Sequence, residues 1–159
     1  MRHTCFLPVV DDRTETLILG SLPGAASLAA GRYYANPRNQ FWRLVGAVIG
    51  MDLEALDYDA RLAALRAHRI GLWDVVAEAE RTGSLDTAIR HAAPNDLVTL
   101  AHLLPRLRTI AFNGGKAASV GTAQLGSEAE RFKIVTLPSS SPALTRRFDV
   151  KLDAWRALI

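Results

Sequence analysis

The chain has a single cysteine, Cys5, among its 159 residues. One thiol cannot form an internal disulfide, and it cannot supply a cluster or metal site that needs several thiolates. The four histidines show no H-x3-H or H-E-x-x-H spacing, so no two of them are predicted to face a metal from one side of a helix. The sequence therefore predicts no metal site.

Long hydrophobic runs are also missing. No stretch approaches the roughly 20 apolar residues of a membrane span, and the polar start at residues 1–4 lacks a secretory pattern. About half of the residues are apolar, which is enough for one buried core and leaves little for a second. We expect a single domain over residues 1–159 that works in the cytoplasm as a monomer, away from membranes.

An excess of negative charge is absent, and the formal net charge is +3. This balance permits a polyanionic partner without requiring one. Arg146, Arg147 and Lys151 cluster after a Ser/Pro segment, while Arg32 and Arg38 flank an aromatic one. A solvated basic face is the alternative interpretation of such clusters.

Short apolar runs alternate with segments of helical periodicity along the chain. The runs predict strands at residues 16–19, 109–112 and 133–137, with a fourth strand, or a passage from strand to loop, at residues 70–76. The periodic segments predict helices at residues 39–49, 59–68, about 95–104, about 116–120 and 147–158. This alternation predicts an α/β domain with a mainly parallel sheet of about four strands.

Three loops follow strand ends in this scheme, and they contain the segments "GSLPG…YYANPRNQFW", "FNGG" and "LPSSSPA". Ligands of parallel sheets bind outside the carboxyl ends of the strands, so the three loops are predicted to converge on one rim. Their aromatic rings, amides and hydroxyls suit a flat, neutral heterocycle such as a flipped-out nucleobase. A generic small-molecule pocket is the alternative.

Several familiar sites are excluded by their spacing. The Gly-Gly-Lys run at 114–116 is no phosphate-binding loop, because Ile110 and Ala117 stand where that loop needs a glycine and a hydroxyl. The serines at 139–141 stand in no G-x-S-x-G elbow. The acidic residues at 11–15 precede the first strand, so no carboxylate pair is evident at the predicted rim.

Three ordered segments, at residues 20–24, 33–42 and 137–143, resemble the signature segments of the uracil-DNA glycosylase superfamily. The similarity is closest to its hypoxanthine-DNA (deoxyinosine) glycosylase branch, and it is supported by "GLWD" at 71–74 and "GSLD" at 83–86, together with Phe112-Asn113-Gly114. The resemblance implies a three-layer α/β/α sandwich. It also implies an enzyme that needs no cofactor and hydrolyses the N-glycosidic bond of deaminated bases in DNA, with hypoxanthine first and uracil or xanthine next.

The resemblance also implies a catalytic residue. Members of the wider superfamily often have an Asp or Asn in the first segment to hold the attacking water. In this chain the apolar Leu22 occupies the corresponding position. The deoxyinosine branch instead uses an asparagine in the Pro-Arg-Asn-x-Phe-Trp segment, which corresponds to Asn39. The alternative role of Asn39 is to cap the helix over residues 39–49, and the two roles can coexist.

Further roles follow from the same resemblance. Tyr34 or Phe41 is expected to stack on the base, with core packing as the alternative, and Asn113 is expected to read the base edge unless it only forms a turn. Ser139 stands where relatives place a His or Asn donor. The expected base-binding set is Ser21, Leu22, Gly24, Tyr34, Phe41, Asn113 and Ser139.

DNA contacts are expected outside the base pocket, with Arg38 meeting a phosphate. Ala143 is too small to act as the wedge that fills the space left by the flipped base. Either Leu144 or Arg146 is expected to take this role, and the choice stays open. The role of Asn36 also stays open. The expected DNA-binding set is Arg38, Ser140, Ser141, Pro142, Ala143, Leu144 and Arg146.

Other functions compete with this interpretation. A uracil- or mismatch-specific DNA glycosylase would keep the same reaction with another base. A catalytically weak module that binds damaged DNA or a nucleobase is favoured by Leu22 and Ala143, which depart from the family pattern. An unrelated small-molecule hydrolase would show weak salt dependence, because few phosphates would be contacted.

Overall fold

The computed structural model describes residues 2–81, 85–86 and 89–159. The strands are β1 (Arg2–Thr4), β2 (Thr16–Gly20), β3 (Ile70–Asp74), β4 (Val76–Glu80), β5 (Arg90–Pro94), β6 (Thr109–Asn113) and β7 (Lys133–Leu137). The helices are α1 (Ala25–Ala30), α2 (Phe41–Ile49), α3 (Tyr58–Ala67), α4 (Leu97–Leu103), α5 (Gly115–Leu125) and α6 (Phe148–Trp155). Short 3-10 turns add to these at 53–55, 126–131 and 156–158.

The central sheet has four parallel strands in the order β3-β2-β6-β7. Every residue of β2 and of β6 is buried, as expected for strands that are covered on both faces. Successive side chains point to opposite faces of a strand, so Leu17 and Leu19 enter one core while Ile18 enters the other. The predicted parallel sheet of about four strands is confirmed.

Helices cover both faces of this sheet and complete three layers. One core unites the sheet with α4 and α5, through residues such as Leu97, Leu100 and Ala117. The opposite core unites it with α2, α3 and α6, through residues such as Leu65 and Trp155. The α/β/α sandwich implied by the resemblance is confirmed.

A second, smaller sheet was not predicted. It is antiparallel, with the strand order β1-β4-β5. The apolar run at 70–76 was predicted as a strand or as a passage from strand to loop, and β3 ends within it at Asp74. The N–H of the next residue, Val75, donates to the Gly20 carbonyl at 2.8 Å. The run therefore supplies both the end of β3 and the start of β4.

Some element boundaries differ from the prediction. Helix α1 lies within the segment predicted as a loop, and Gly31 closes it with a left-handed φ of 66°. Helix α2 begins at Phe41 rather than at residue 39, and α5 extends to Leu125. None of the helices in the described part of the chain has the length and apolar character needed to cross a membrane.

Candidate active site

A pocket of about 690 Å³ opens at the carboxyl ends of the central strands. The predicted convergence of the three loops is confirmed, because all three contribute to its wall. Asp74, Leu85 and Asp86 join the wall from segments to which the sequence assigned no site role. The wall residues from the three loops are Gly20, Ser21, Leu22, Pro23, Gly24, Ala25, Ala26, Ser27, Tyr33, Tyr34, Asn36, Arg38, Asn39, Asn113, Ser139, Ser140, Ser141, Pro142, Ala143 and Leu144.

Tyr33 and Tyr34 both line the pocket, and of the two Tyr34 is the less buried. Tyr34 has a left-handed φ of 54°, which is rare for a bulky residue and concentrates at functional sites. Its ring stacks on Phe41, with centroids 3.8 Å apart and an interplanar angle of 11°. Phe41 has no exposed surface and is absent from the pocket wall. Core packing, the alternative for Phe41, is thus observed, and its ring supports Tyr34 from behind.

Asn39 stands on the wall two residues before the start of α2. Its side-chain Oδ1 accepts a hydrogen bond from the Phe41 backbone N–H at 3.0 Å. Its backbone N–H donates to the Asn36 backbone carbonyl at 2.9 Å. The N-cap residue of α2 is Gln40, so the side chain of Asn39 forms a turn just before the helix rather than the cap that was the alternative. An amide oxygen has two lone pairs, so Oδ1 can also accept from a water molecule. The backbone N–H of the neighbouring Gln40 donates to the Ser140 carbonyl at 2.9 Å, and this bond connects the turn to the Ser/Pro loop.

Asn36 has a local task. Its Oδ1 accepts from the Arg38 amide at 2.9 Å, a side-chain turn that is typical of Asn before a Pro-containing bend. The turn presents Arg38 at the exposed rim of the pocket.

Asn113 ends β6 and is buried at the base of the pocket. Its Nδ2 donates to Ser140 Oγ at 2.9 Å and to Tyr34 Oη at 3.3 Å, while its Oδ1 accepts from the Ser140 amide at 2.9 Å. The left-handed backbone of the turn belongs to Gly114, with φ of 100°, and not to Asn113. The side chain of Asn113 therefore links two loops and leaves one Oδ1 lone pair for a ligand.

Asp74 is a wall residue that the sequence reasoning missed. It ends β3 and is 4% exposed. Burial raises the pKa of Asp74 to about 7, the charge of Asp86 adds to the rise, and Arg81 opposes it. The expectation that no carboxylate pair lies at the rim is corrected, since Asp74 and Asp86 both line the pocket. The available signal was that "GLWD" ends a strand next to β2.

Arg81 and Asp86 hold the segment Gly20–Gly24 in place. The guanidinium of Arg81 is fully buried and donates to the carbonyls of Leu22 and Pro23. Ser21 Oγ donates to Asp86 Oδ1 at 2.5 Å. Asp86 belongs to the "GSLD" segment, of which residues 83 and 84 lie outside the described residues.

The Ser/Pro loop is shaped by its own hydroxyls. Ser139 Oγ accepts from the Ser141 amide and Ser141 Oγ accepts from the Ala143 amide, each at 3.1 Å. Trp155 Nε1 donates to the Pro138 carbonyl at 2.9 Å and anchors the start of the loop on α6. These local bonds place the loop across one side of the pocket.

The predicted basic cluster after this loop divides into buried and exposed members. Lys151 is 1% exposed, and its Nζ donates to the Ser141 carbonyl at 3.3 Å. Lys151 therefore supports the loop, and burial lowers its pKa. Arg146 is exposed but is not part of the pocket wall, whereas Leu144 is. Arg147 pairs with Asp149 at 2.9 Å.

Known proteins resemble this chain over nearly its whole length. A solution NMR structure of a uracil DNA glycosylase candidate from Methanosarcina acetivorans superposes with a TM-score of 0.88 and 41% identity, covering 99% of this chain and 96% of that one. A curated relative from Methanosarcina barkeri, named hypoxanthine DNA glycosylase, is 40% identical over 98% of this chain and 96% of its own length.

A second curated relative with the same name, from Methanosarcina acetivorans, is 43% identical over 96% of this chain and 95% of its own length. The sequence model of the Uracil DNA glycosylase superfamily matches residues 7–159. This match includes every residue of the pocket wall. The chain belongs to the uracil DNA glycosylase superfamily.

Proposed function

We propose that this protein is a hypoxanthine DNA glycosylase, which hydrolyses the bond between a deaminated base and its deoxyribose and so starts base excision repair. The superfamily and the names of the curated relatives support a DNA glycosylase that acts on deaminated bases. Hypoxanthine is the first substrate of the proposal, and uracil and xanthine are the next. We also propose that the protein acts as a monomer.

The reaction needs a positioned water and stabilisation of a leaving anion. As the N-glycosidic bond breaks, the sugar becomes cationic and the base departs with negative charge. Asn39 supplies the oxygen that orients the water, and its bond from the Phe41 amide at 3.0 Å fixes the orientation of that oxygen. Preorganised polar groups of this kind lower the barrier because they need no rearrangement during the reaction.

Other wall residues bind the base and its strand. The face of Tyr34 that is not stacked on Phe41 takes the base, and Asn113 offers its remaining Oδ1 lone pair to the base edge. Ser139 Oγ accepts from the Ser141 amide, so its own O–H is available to donate to the departing base. Arg38 meets a phosphate at the rim, and Leu144 is the wedge that enters the vacated stack.

The observation that carries the proposal is the meeting of Asn39, Tyr34 and Asn113 on one pocket wall in a chain whose curated relatives are named for hypoxanthine. The test is an excision panel: duplexes and single strands with hypoxanthine, uracil or xanthine are incubated with the protein, and released base is measured. We expect hypoxanthine to be released fastest, with strand scission only after alkali.

Three results would change the proposal. Faster release of uracil would make the protein a uracil glycosylase, and release only from mismatches would make it mismatch-specific. Tight, salt-sensitive binding of damaged DNA without any released base would identify a binding module instead, with Leu22 as the wall residue unable to orient water.

A further inference from the structure

Asp74, the most deeply buried carboxyl of the pocket, has no task in the reaction described above. It ends β3 beside Gly20 of β2, lines the pocket and is 4% exposed. We infer that Asp74 accepts a hydrogen bond from the ring N–H that deamination creates in a base, and so selects deaminated bases over their parents. The inference rests on the proposed function and assigns a specificity residue to it.

The chemistry of deamination supplies the reason. Adenine has a lone pair at N1 next to an amino group, whereas hypoxanthine has N1–H next to a carbonyl, and cytosine and uracil differ in the same way at N3. An ionised carboxylate can only accept hydrogen bonds. It therefore binds the deaminated edge and repels the lone pair of the parent base. Guanine and thymine also carry a ring N–H, so the shape of the pocket must exclude their additional amino and methyl groups.

The position of the Asp74 carboxyl suits this contact. A Cβ built on Gly20 would lie 2.7 Å from Asp74 Oδ1 and 3.0 Å from Tyr34 Oη. The carboxyl thus stands close to the hydroxyl of the residue to which we assign base stacking, and the missing side chain of Gly20 leaves the space between them open.

Asp74 also has an unused oxygen. Within the described part of the chain, four buried side-chain polar atoms have no hydrogen-bond partner, and Asp74 Oδ2 is the one that belongs to a wall residue. A buried acceptor without a partner costs free energy. A donor that arrives on a bound base would remove that cost.

The backbone holds Asp74 in this position. The Asn95 side chain donates to the Asp74 carbonyl at 2.7 Å, and the next residue, Val75, donates to the Gly20 carbonyl at 2.8 Å. The backbone that carries the carboxyl is therefore fixed at the strand end before a base arrives.

The charges around Asp74 determine when it can accept. Burial raises its pKa to about 7, Asp86 adds to the rise and Arg81 opposes it. Below about pH 7 one carboxyl oxygen carries a proton and the other is a weaker, neutral acceptor, so recognition of a ring N–H weakens as the pH falls. The titratable groups that interact with Asp74 from the surrounding elements are Asp86, Arg81, Tyr34, Tyr33 and Cys5.

The experiment measures kcat/KM for hypoxanthine release from about pH 5.5 to about pH 8 in the wild type, Asp74→Asn and Asp86→Asn. We expect the wild-type value to rise with pH, by up to tenfold per unit, and to level off above about pH 7. Asp74→Asn should show no such rise. Asp86→Asn should keep the rise at a lower pH, because the charge that helps to raise the Asp74 pKa is gone.

A second measurement compares bases at one pH. The amide of Asp74→Asn can donate as well as accept, so it can pair with the N1 lone pair of adenine. We expect the ratio of hypoxanthine to adenine excision to fall at least tenfold in Asp74→Asn. Circular dichroism and melting curves confirm that the variant is folded, and its near-isosteric side chain limits other changes.

The inference is overturned if the rise with pH survives in Asp74→Asn, if the ratio of the two bases is unchanged, or if wild-type activity falls as the pH rises. The last result would identify Asp74 as a proton donor to the leaving base. Binding of inosine-containing DNA by Asn39→Ala over the same pH range separates the two proposals. If the wild type never releases base but the DNA is bound with the expected pH dependence, the proposed function is refuted and the role of Asp74 is supported.

Discussion

Asn113 and Ser140 hold each other by two hydrogen bonds of 2.9 Å, one from the Ser140 amide to Asn113 Oδ1 and one from Asn113 Nδ2 to Ser140 Oγ. A backbone N–H can only donate, so the pairing fixes which end of the Asn113 amide is the oxygen. The two residues are 27 positions apart and join the end of β6 to the Ser/Pro loop. The base of the pocket is therefore ordered before any ligand binds.

Removal of one of these bonds should loosen the loop. Ser140→Ala keeps the backbone bond but leaves Asn113 Nδ2 with only Tyr34 Oη, at 3.3 Å. Because Ser140 is 1% exposed, we expect a loss of about 1–2 kcal/mol in the free energy of unfolding and weaker binding of base. Chemical denaturation measures the first effect. Ser119→Ala, on the exposed surface of α5, is the control and should change stability little.

Asn39→Ala should separate binding from catalysis. We expect excision of hypoxanthine to fall by about 100- to 1000-fold while the affinity for damaged DNA stays within a few-fold of the wild type, because the phosphate contacts remain. Single-turnover release and DNA titration measure the two quantities. Asn36→Ala, which removes the neighbouring amide, is the matched control and should lose less than about tenfold. Equal losses in both variants would contradict the assignment of Asn39.

Two adjacent glycines should respond differently to alanine. Gly114 has φ of 100° and ψ of 167°, a region that is nearly exclusive to glycine, and a Cβ there would lie 3.2 Å from Ser139 Cβ. Gly114→Ala should cost about 1–3 kcal/mol and move the loop at Ser139. Gly115→Ala meets no atom within 4 Å and should be neutral or slightly stabilising. Thermal unfolding of both variants tests the contrast.

Arg38 should contribute to binding through salt-dependent contact with phosphate. Arg38→Ala is expected to weaken binding of all DNA sequences about equally and to reduce the slope of log K against log salt by about 1. Arg106→Ala is the control, because Arg106 is exposed in the turn before β6, at the opposite end of the strand. Titrations at several salt concentrations check the slopes. An unchanged slope in Arg38→Ala would remove Arg38 from the DNA interface.

Stability should depend on pH through Asp74. Its pKa is about 7 in the folded protein against an ordinary 3.8, so between about pH 4 and pH 7 the folded state keeps a proton that the unfolded state has lost. The free energy of unfolding should therefore fall as the pH rises through this window, by on the order of 1–4 kcal/mol from this group. Asp74→Asn should remove that fall. Urea denaturation at pH 5 and pH 8 measures the difference, and a parallel decline in the variant would assign it to other groups.

Local patterns were sufficient for much of the fold. The run Lys133–Leu137 is the strand that was predicted, and Asp96 caps α4 through a bond from the Thr99 amide at 3.1 Å. Both depend on residues that are neighbours in sequence. The small antiparallel sheet could not be predicted in this way, because β1 pairs with β4 across more than seventy residues. Residues 77–80 of β4 alternate between alanine and glutamate, but both residue types are depleted in strands.

The sequence by itself determined the order of the four central strands and of helices α2 to α6. It also determined the meeting of three loops at one rim, because parallel strands end at the same edge of a sheet. The tertiary structure decided which side chains face the pocket. Tyr34 reaches it because Phe41 fills the space behind, and Lys151 is withdrawn beneath the Ser/Pro loop. Asp74 becomes a wall residue with a raised pKa through its burial beside Gly20. Burial and charge at such positions depend on contacts between residues distant along the chain, which no local pattern encodes.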